Sequence, residues 1–182
     1  EPVTISPEQA KELKRQPATP QGRRDALLVC LLLDHGLRVG EVARLQVSDL
    51  DLGAGELRFY RPKVDKAQTH RLTRDALAAA RAYVDSGDCP ALGPLLRASR
   101  RGGELGASGM TERAISERMR VLGRAVGVEG LSAHDLRHAW ATRAARNGTP
   151  IDRLQDAGGW SSPAMPMRYV EAAKIANEGV RV

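Results

Sequence analysis

Residues 131–143 read Leu131-Ser132-Ala133-His134-Asp135-Leu136-Arg137-His138-Ala139-Trp140-Ala141-Thr142-Arg143. Ser132 with Asp135 three residues on has the spacing of an N-terminal cap, so a helix is expected to open here and run to the Asn147-Gly148 stop. In that helix His134 and Arg137 stand at i and i+3, on one face of the first turn. Free N–H groups and the macrodipole draw anions to a helix N-terminus, which makes His134 and Arg137 a candidate phosphate clamp. The same pair also reads as a surface Arg beside a partly buried His, and spacing alone leaves both readings open.

C-terminal to this helix, Thr149-Pro150 restarts one, Gly158-Gly159 breaks it, and Ser162-Pro163 begins another through Tyr169. A last short helix is expected from Ala172 to Asn177. Trp160 and Tyr169 each have an ordinary reading as packing residues. On the N-terminal side, Ile115, Met119, Leu122 and Val126 recur at helical spacing up to Gly127. Before them, Gly87 to Gly109, rich in Gly, Pro and Arg, reads as a long surface connection.

The first half of the chain holds more helices and one β-rich interruption. Ser6-Pro7-Glu8-Gln9 is a cap, an N1 proline and a capping-box Gln, so a helix should span Pro7 to about Arg15. Arg23 to His35 contains the run Ala26 to Leu33, apolar nearly all round as in a buried helix, and Gly36 ends it. A short helix is expected from Val39 to about Arg44. Glu56 to Arg61 alternates as a strand, a second strand lies near Gln68 to Leu72, and Asp75 to Asp85 follows as a helix capped by Thr73. The fold class is therefore α+β, mostly helical with a small antiparallel sheet.

At 182 residues one domain is expected, with enough chain to bury a core. Hydrophobic residues at 42% and charged residues at 27% exclude a disordered or low-complexity chain. The longest apolar run is far short of the roughly 20 residues that cross a bilayer. Cys30 and Cys89 provide neither a disulfide framework nor paired metal-ligand spacing, and no metal or cofactor is expected. The net charge of +6 favours an anionic partner. Aromatics at 3% are too few for single-strand stacking platforms, so duplex is the expected nucleic-acid form.

Three more positions carry candidate chemistry. Arg38, in Leu37-Arg38-Val39-Gly40-Glu41, projects from just beyond the buried helix, and Glu41 three residues on can orient its guanidinium. Lys63, with Lys66 close behind, lies at the hairpin tip, where a Lys serves as a solvated edge, a groove contact or a proton donor. Taken singly, each of these positions has an ordinary structural explanation.

Taken in order, Gly-Leu-Arg-x-Gly-Glu, a hairpin Lys, His-x-x-Arg-His, Gly-Trp-Ser and Arg-Tyr resemble the catalytic domain of the tyrosine recombinase family, which includes phage integrases. The resemblance runs from the Ser6 helix to Tyr169 and slightly beyond. It implies catalytic roles for Arg38, Lys63, His134, Arg137, Trp160 and Tyr169, with Tyr169 the nucleophile, Glu41 supporting Arg38, and Lys66 the fallback for Lys63. Trp160 stands where the family has His or, less often, Trp; indole keeps an N–H donor but cannot transfer a proton.

The activity implied is site-specific recombination or integration of double-stranded DNA through a 3′-phosphotyrosyl intermediate. In it two Arg forks neutralise charge on the phosphate, His134 accepts the Tyr169 proton or positions the phosphate, and Lys63 protonates the leaving 5′ oxygen. It also implies a homo-oligomer, a tetramer, on DNA, possible accessory DNA-bending proteins, no membrane, and a cytoplasmic, nucleoid-associated location. Because the chain starts at Glu1 without Met, residues 1–182 are expected to be an excised catalytic domain lacking an N-terminal DNA-gripping domain, with 170–182 as a C-terminal tail. Two alternatives stand beside this: a non-catalytic helix-turn-helix module around Gly158-Gly159, and a topoisomerase-like enzyme that nicks and reseals.

Overall fold

The computed structural model describes residues 1–182. Helix α1 (Pro7–Lys14) opens with the complete Ser6/Gln9 capping box. Helix α2 (Pro20–His35) starts one turn earlier than its apolar run suggests, because the Thr19 hydroxyl accepts from Gly22 N and Pro20 takes the first helical position. Its residues from Leu27 to Leu33 are all buried, and it packs against α1, α3 (Val39–Ala43), α4 (Arg74–Asp85) and α6 (Ala133–Arg146). Gly36 closes it in the left-handed conformation, with φ 65°. Trp140 of α6 lies so close that a Cβ on residue 36 would come within 2.1 Å of its ring.

The sheet is antiparallel, in the order β1 (Leu50–Asp51), β2 (Glu56–Arg61), β3 (Lys66–Arg71). β2 matches its expected bounds. β3 begins two residues earlier than the sequence suggests, because the pairing with β2 continues to Arg61↔Lys66. Along β2, Leu57, Phe59 and Arg61 face inward and are buried, so a charged residue occupies the last apolar slot of the alternation. Pro62–Val64 forms a 3₁₀ turn between β2 and β3 and carries Lys63.

The connection after α4 is not wholly irregular. β4 (Arg97–Ser99) and β5 (Leu105–Gly109) form a hairpin inside it. Leu-Gly-Ala-Ser-Gly has no β-branched residue to mark it as a strand. Helix α5 (Glu112–Ala125) follows the expected apolar spacing, and α6 opens on the full Ser132/Asp135 capping box. Helices α7 (Ile151–Gly158) and α8 (Ala164–Ala173) complete the chain. No separate helix forms over 172–177: α8 ends when Lys174 turns to extended backbone, and residues 174–182 are exposed with no core to hold them in a helix.

Two apolar clusters result. The larger gathers α1 to α5, the sheet and the start of α6. The smaller joins Trp140, Ala141 and Ala145 of α6 to Leu154 of α7 and Tyr169 of α8. Helix α6 belongs to both, with Ala133 and Leu136 in the larger cluster and Trp140, Ala141 and Ala145 in the smaller. No helix is long and apolar enough to cross a membrane.

Candidate active site

Helix α7 ends on three consecutive carbonyls, and each accepts a hydrogen bond from a different arginine. Arg61 Nη1 donates to Ala157 O at 2.6 Å, Arg137 Nη2 to Gly158 O at 2.7 Å, and Arg38 Nη2 to Gly159 O at 3.3 Å. The last carbonyls of a helix have no intrahelical partner and carry the negative end of its dipole, so this terminus can hold cations together that would otherwise repel. Gly159 is in the left-handed region at φ 65°, and a Cβ there would come within 2.6 Å of Arg61. Only glycine lets the chain turn this tightly against the guanidinium.

Glu41 supplies the only carboxylate paired with these arginines. It is 3% exposed and caps α3 by accepting from Arg38 N at 2.8 Å. It also accepts from Arg38 Nη1 at 3.2 Å and from Arg61 Nη2 at 3.3 Å. Arg61 Nε lies 3.2 Å from the same carboxylate but outside hydrogen-bonding alignment, so this contact is an ion pair only. Arg137 has a further acceptor in Gly36 O at 2.5 Å.

Burial, then the neighbouring Arg38 and Arg61, brings Arg137 down to about 9. Burial brings Arg61 down to about 10, with Arg38 adding to the fall and Glu41 opposing it. Both guanidiniums therefore stay charged at neutral pH. Three cations against one carboxylate leave the site with an excess of positive charge, the electrostatic signature of an anion-binding site.

Arg38, Lys63, His134, Arg137 and Trp160 line one cleft of about 470 Å³. His134 stands exposed in the first turn of α6. The Arg137 guanidinium lies 4.4 Å over the Trp160 ring, and Trp160 stacks on Trp140 at 6.2 Å. The two hairpin lysines go different ways. Lys63 faces the cleft, whereas Lys66 pairs with Asp156 of α7 at 3.4 Å, beside Gln68, which donates to the same carboxylate at 3.0 Å.

Of the six candidate catalytic residues, Tyr169 alone does not line the cleft. It is 9% exposed in the smaller core, its ring 5.9 Å from Trp160, and its hydroxyl is 2.9 Å from His138 Nδ1. Burial raises its pKa, and Arg137 partly offsets the rise.

Three features around the site have no role assigned from the sequence: Arg61, His138, which is quoted only within the His-x-x-Arg-His motif, and a buried histidine pair. Arg61 could have been found from the period-two alternation that puts it on the inward face with Leu57 and Phe59. His138 could have been found from its i+4 spacing to His134. A buried histidine pair also reaches the end of α7. Thr73 N donates to His35 Nε2 at 3.2 Å, His35 Nδ1 and His70 Nδ1 are 3.2 Å apart, and His70 Nε2 meets Ala157 O at 3.1 Å. One assignment satisfies every contact: His35 protonated on Nδ1 and His70 on Nε2, both neutral. Burial pulls them to about 4 and about 3, in keeping with that state. Ala157 O thus accepts from both His70 and Arg61.

The phage integrase family model matches residues 4–175. The chain belongs to the phage integrase family. This integrase-family chain is 28% identical over 181 residues to tyrosine recombinase XerC of Herpetosiphon aurantiacus, covering 94% of the chain and 56% of the relative. It is also 28% identical over 170 residues to tyrosine recombinase XerA of Thermococcus kodakarensis, covering 93% and 58%. The integrase-family chain thus spans a little over half the length of these relatives. It superposes on a crystal structure of XerA recombinase with a TM-score of 0.77 at 29% identity, over 93% of the chain and 60% of that structure. The catalytic domain of bacteriophage HP1 integrase has the same fold at 21% identity, with a TM-score of 0.63 over 98% and 92% of the two chains.

Proposed function

We propose that this chain is the catalytic part of a site-specific DNA recombinase that cuts and rejoins duplex strands through a 3′-phosphotyrosyl link. The observation that carries the reading is the set of three guanidiniums held on consecutive α7 carbonyls beside a cleft that also receives Lys63 and His134. A phosphodiester seated there meets Arg38 and Arg137 at its non-bridging oxygens, where charge builds in the transition state. His134 contacts the phosphate from the mouth of the cleft. Lys63 protonates the departing 5′ oxygen, and Trp160 supports Arg137 from its ring face. Glu41 and Arg61 position Arg38 and the α7 terminus.

Tyr169 attacks phosphorus in line and retains the bond's energy in the phosphotyrosyl ester, so a 5′-hydroxyl rejoins the strand without ATP. Two relatives in structure support duplex DNA as the partner: the XerH recombinase bound to difH substrate and the Tn1549 integrase with transposon right end DNA share this fold at 21% and 18% identity. Assembly as a homo-oligomer on DNA, with accessory bending proteins and a nucleoid location, belongs to the same proposal. The helix-turn-helix alternative is not favoured, since Arg38 and Arg137 are tied to the Gly159 and Gly158 carbonyls at the α7–α8 turn and line one cleft with Lys63 and His134.

The test is incubation with nicked suicide duplexes from a randomised-site library, followed by denaturing electrophoresis. A covalent protein–DNA band is expected from the wild type and none from Tyr169→Phe. A band that survives the substitution removes Tyr169 as nucleophile.

A further inference from the structure

We infer that His138, one helical turn beyond His134, is the group that takes the Tyr169 proton during strand cleavage. The inference rests on the strand-transfer reading above and assigns within it the one proton that the cleft residues do not reach. His134 makes no hydrogen bond to Tyr169, whereas His138 Nδ1 lies 2.9 Å from the tyrosine oxygen, with ring centroids 5.2 Å apart. A general base must stand within hydrogen-bond reach of the group it deprotonates, about 2.6 to 3.2 Å between heavy atoms, and His138 already does.

The two residues come from different helices, and their alignment is fixed on both sides. His138 sits on α6 between Arg137 and the buried Trp140, and Tyr169 on α8 is wedged against Trp160. The titratable groups facing the imidazole are His134 and Asp135 on its own helix and Tyr169 on α8. Burial and His134 hold its pKa below the ordinary histidine value, and Asp135 offsets part of the fall. His138 is then neutral at neutral pH, with a lone pair available on Nδ1 in the Nε2–H tautomer.

In the cleavage step the Tyr169 O–H bond breaks and its proton passes to His138 Nδ1. The oxygen's electron pair forms the bond to phosphorus. The P–O5′ bond breaks with its electrons on oxygen, which takes a proton from Lys63. On rejoining, the phenolate leaves phosphorus and recovers its proton from His138, while the attacking 5′-hydroxyl returns one to Lys63.

Single-turnover cleavage of a nicked suicide duplex, selected on the wild type, separates the possibilities when followed against pH. For the wild type the rate is expected to rise with pH to a plateau, with an inflection below the usual histidine value of about 6.5. His138→Asn, which offers Tyr169 a hydrogen-bond partner but no base, should lose that inflection and cleave roughly 10²- to 10⁴-fold more slowly. Replacing Tyr169 with trifluorotyrosine, whose phenol is more acidic, should shrink the His138→Asn defect, which a merely structural role of His138 would leave unchanged. His134→Ala should keep the inflection. Nitrogen-15 NMR of the imidazoles supplies a readout independent of cleavage, with His138 expected as the Nε2–H tautomer and its Nδ1 signal moved by Tyr169→Phe. A His138→Asn protein that cleaves at the wild-type rate, or a neutral-pH His138 protonated on Nδ1, overturns the assignment. A wild type that forms no covalent complex on any duplex overturns the recombinase reading itself.

Discussion

At the scale of single residues, Arg61 and Lys63 show how two neighbours on one hairpin divide the work. Arg61 is fully buried, facing Glu41 and the end of α7, with its guanidinium 4.8 Å over Phe59. Removing Arg61 leaves buried Glu41 with Arg38 as its one remaining cation and takes a donor from Ala157 O, so Arg61→Leu should cost about 3 to 5 kcal/mol in chemical denaturation. Lys63→Met should reduce strand cleavage by roughly 10²-fold or more, the loss that follows from the proton-donor role proposed for it. Lys66→Met, which removes only an exposed pair with Asp156, should cleave within a few-fold of wild type; equal losses in the two variants would remove the distinction. The sequence placed both lysines on the hairpin tip and left the choice between them open, because a 3₁₀ turn decides which one faces the cleft.

At the scale of elements, the end of α7 is fixed by contacts from β2, β3, α3 and α6, and the His35–His70 pair ties it to α2 and the start of α4. Both imidazoles have folded pKa values below their unfolded one, at about 4 and about 3. Between an unfolded value near 6.5 and those folded values the unfolded chain binds more protons, so stability falls as pH falls through this window. The loss attributable to His35 alone is on the order of 3 kcal/mol, fully incurred only below its folded value. Urea denaturation at pH 7 and pH 4.5 should show the decline, and His35→Gln with His70→Gln should flatten it. None of this pairing was legible in the sequence, where the two histidines lie 35 residues apart. The capped helices were legible, because Ser6, Thr73 and Ser132 satisfy backbone groups within their own first turns.

At the scale of the whole molecule, the division into two apolar clusters sets where the protein opens first. The smaller cluster holds α7 and α8 on few buried side chains, and Tyr169 is one of them. Hydrogen exchange should show α7 and α8 losing protection at lower free energy than α2, and Leu154→Ala should widen that gap while costing about 2 to 5 kcal/mol. Uniform protection across α2, α7 and α8 would contradict a separate C-terminal unit. Tyr169 thus belongs to the smaller cluster, whereas Arg38 at the start of α3 and Arg61 on β2 are rooted in the larger one, and Arg137 reaches it through Gly36 O at the end of α2.

The sequence by itself determined the α+β class, most helix positions, the β2 strand, and Arg38, His134, Arg137 and Trp160 among the residues that line the cleft. Caps and the periods of 3.6 and two act over a few residues, and each motif in the ordered series is itself a short run. The tertiary structure decided that three arginines meet three successive carbonyls, that Arg61 belongs with them, that Lys63 faces the cleft, and that His138 holds Tyr169. It also made a hairpin of β4 and β5 and left residues 174–177 outside any helix. These features depend on partners far apart in the chain, such as Arg38 and Gly159 at a separation of 121 residues. Which buried donor finds which carbonyl is settled only when helices and sheet pack and water is excluded from between them.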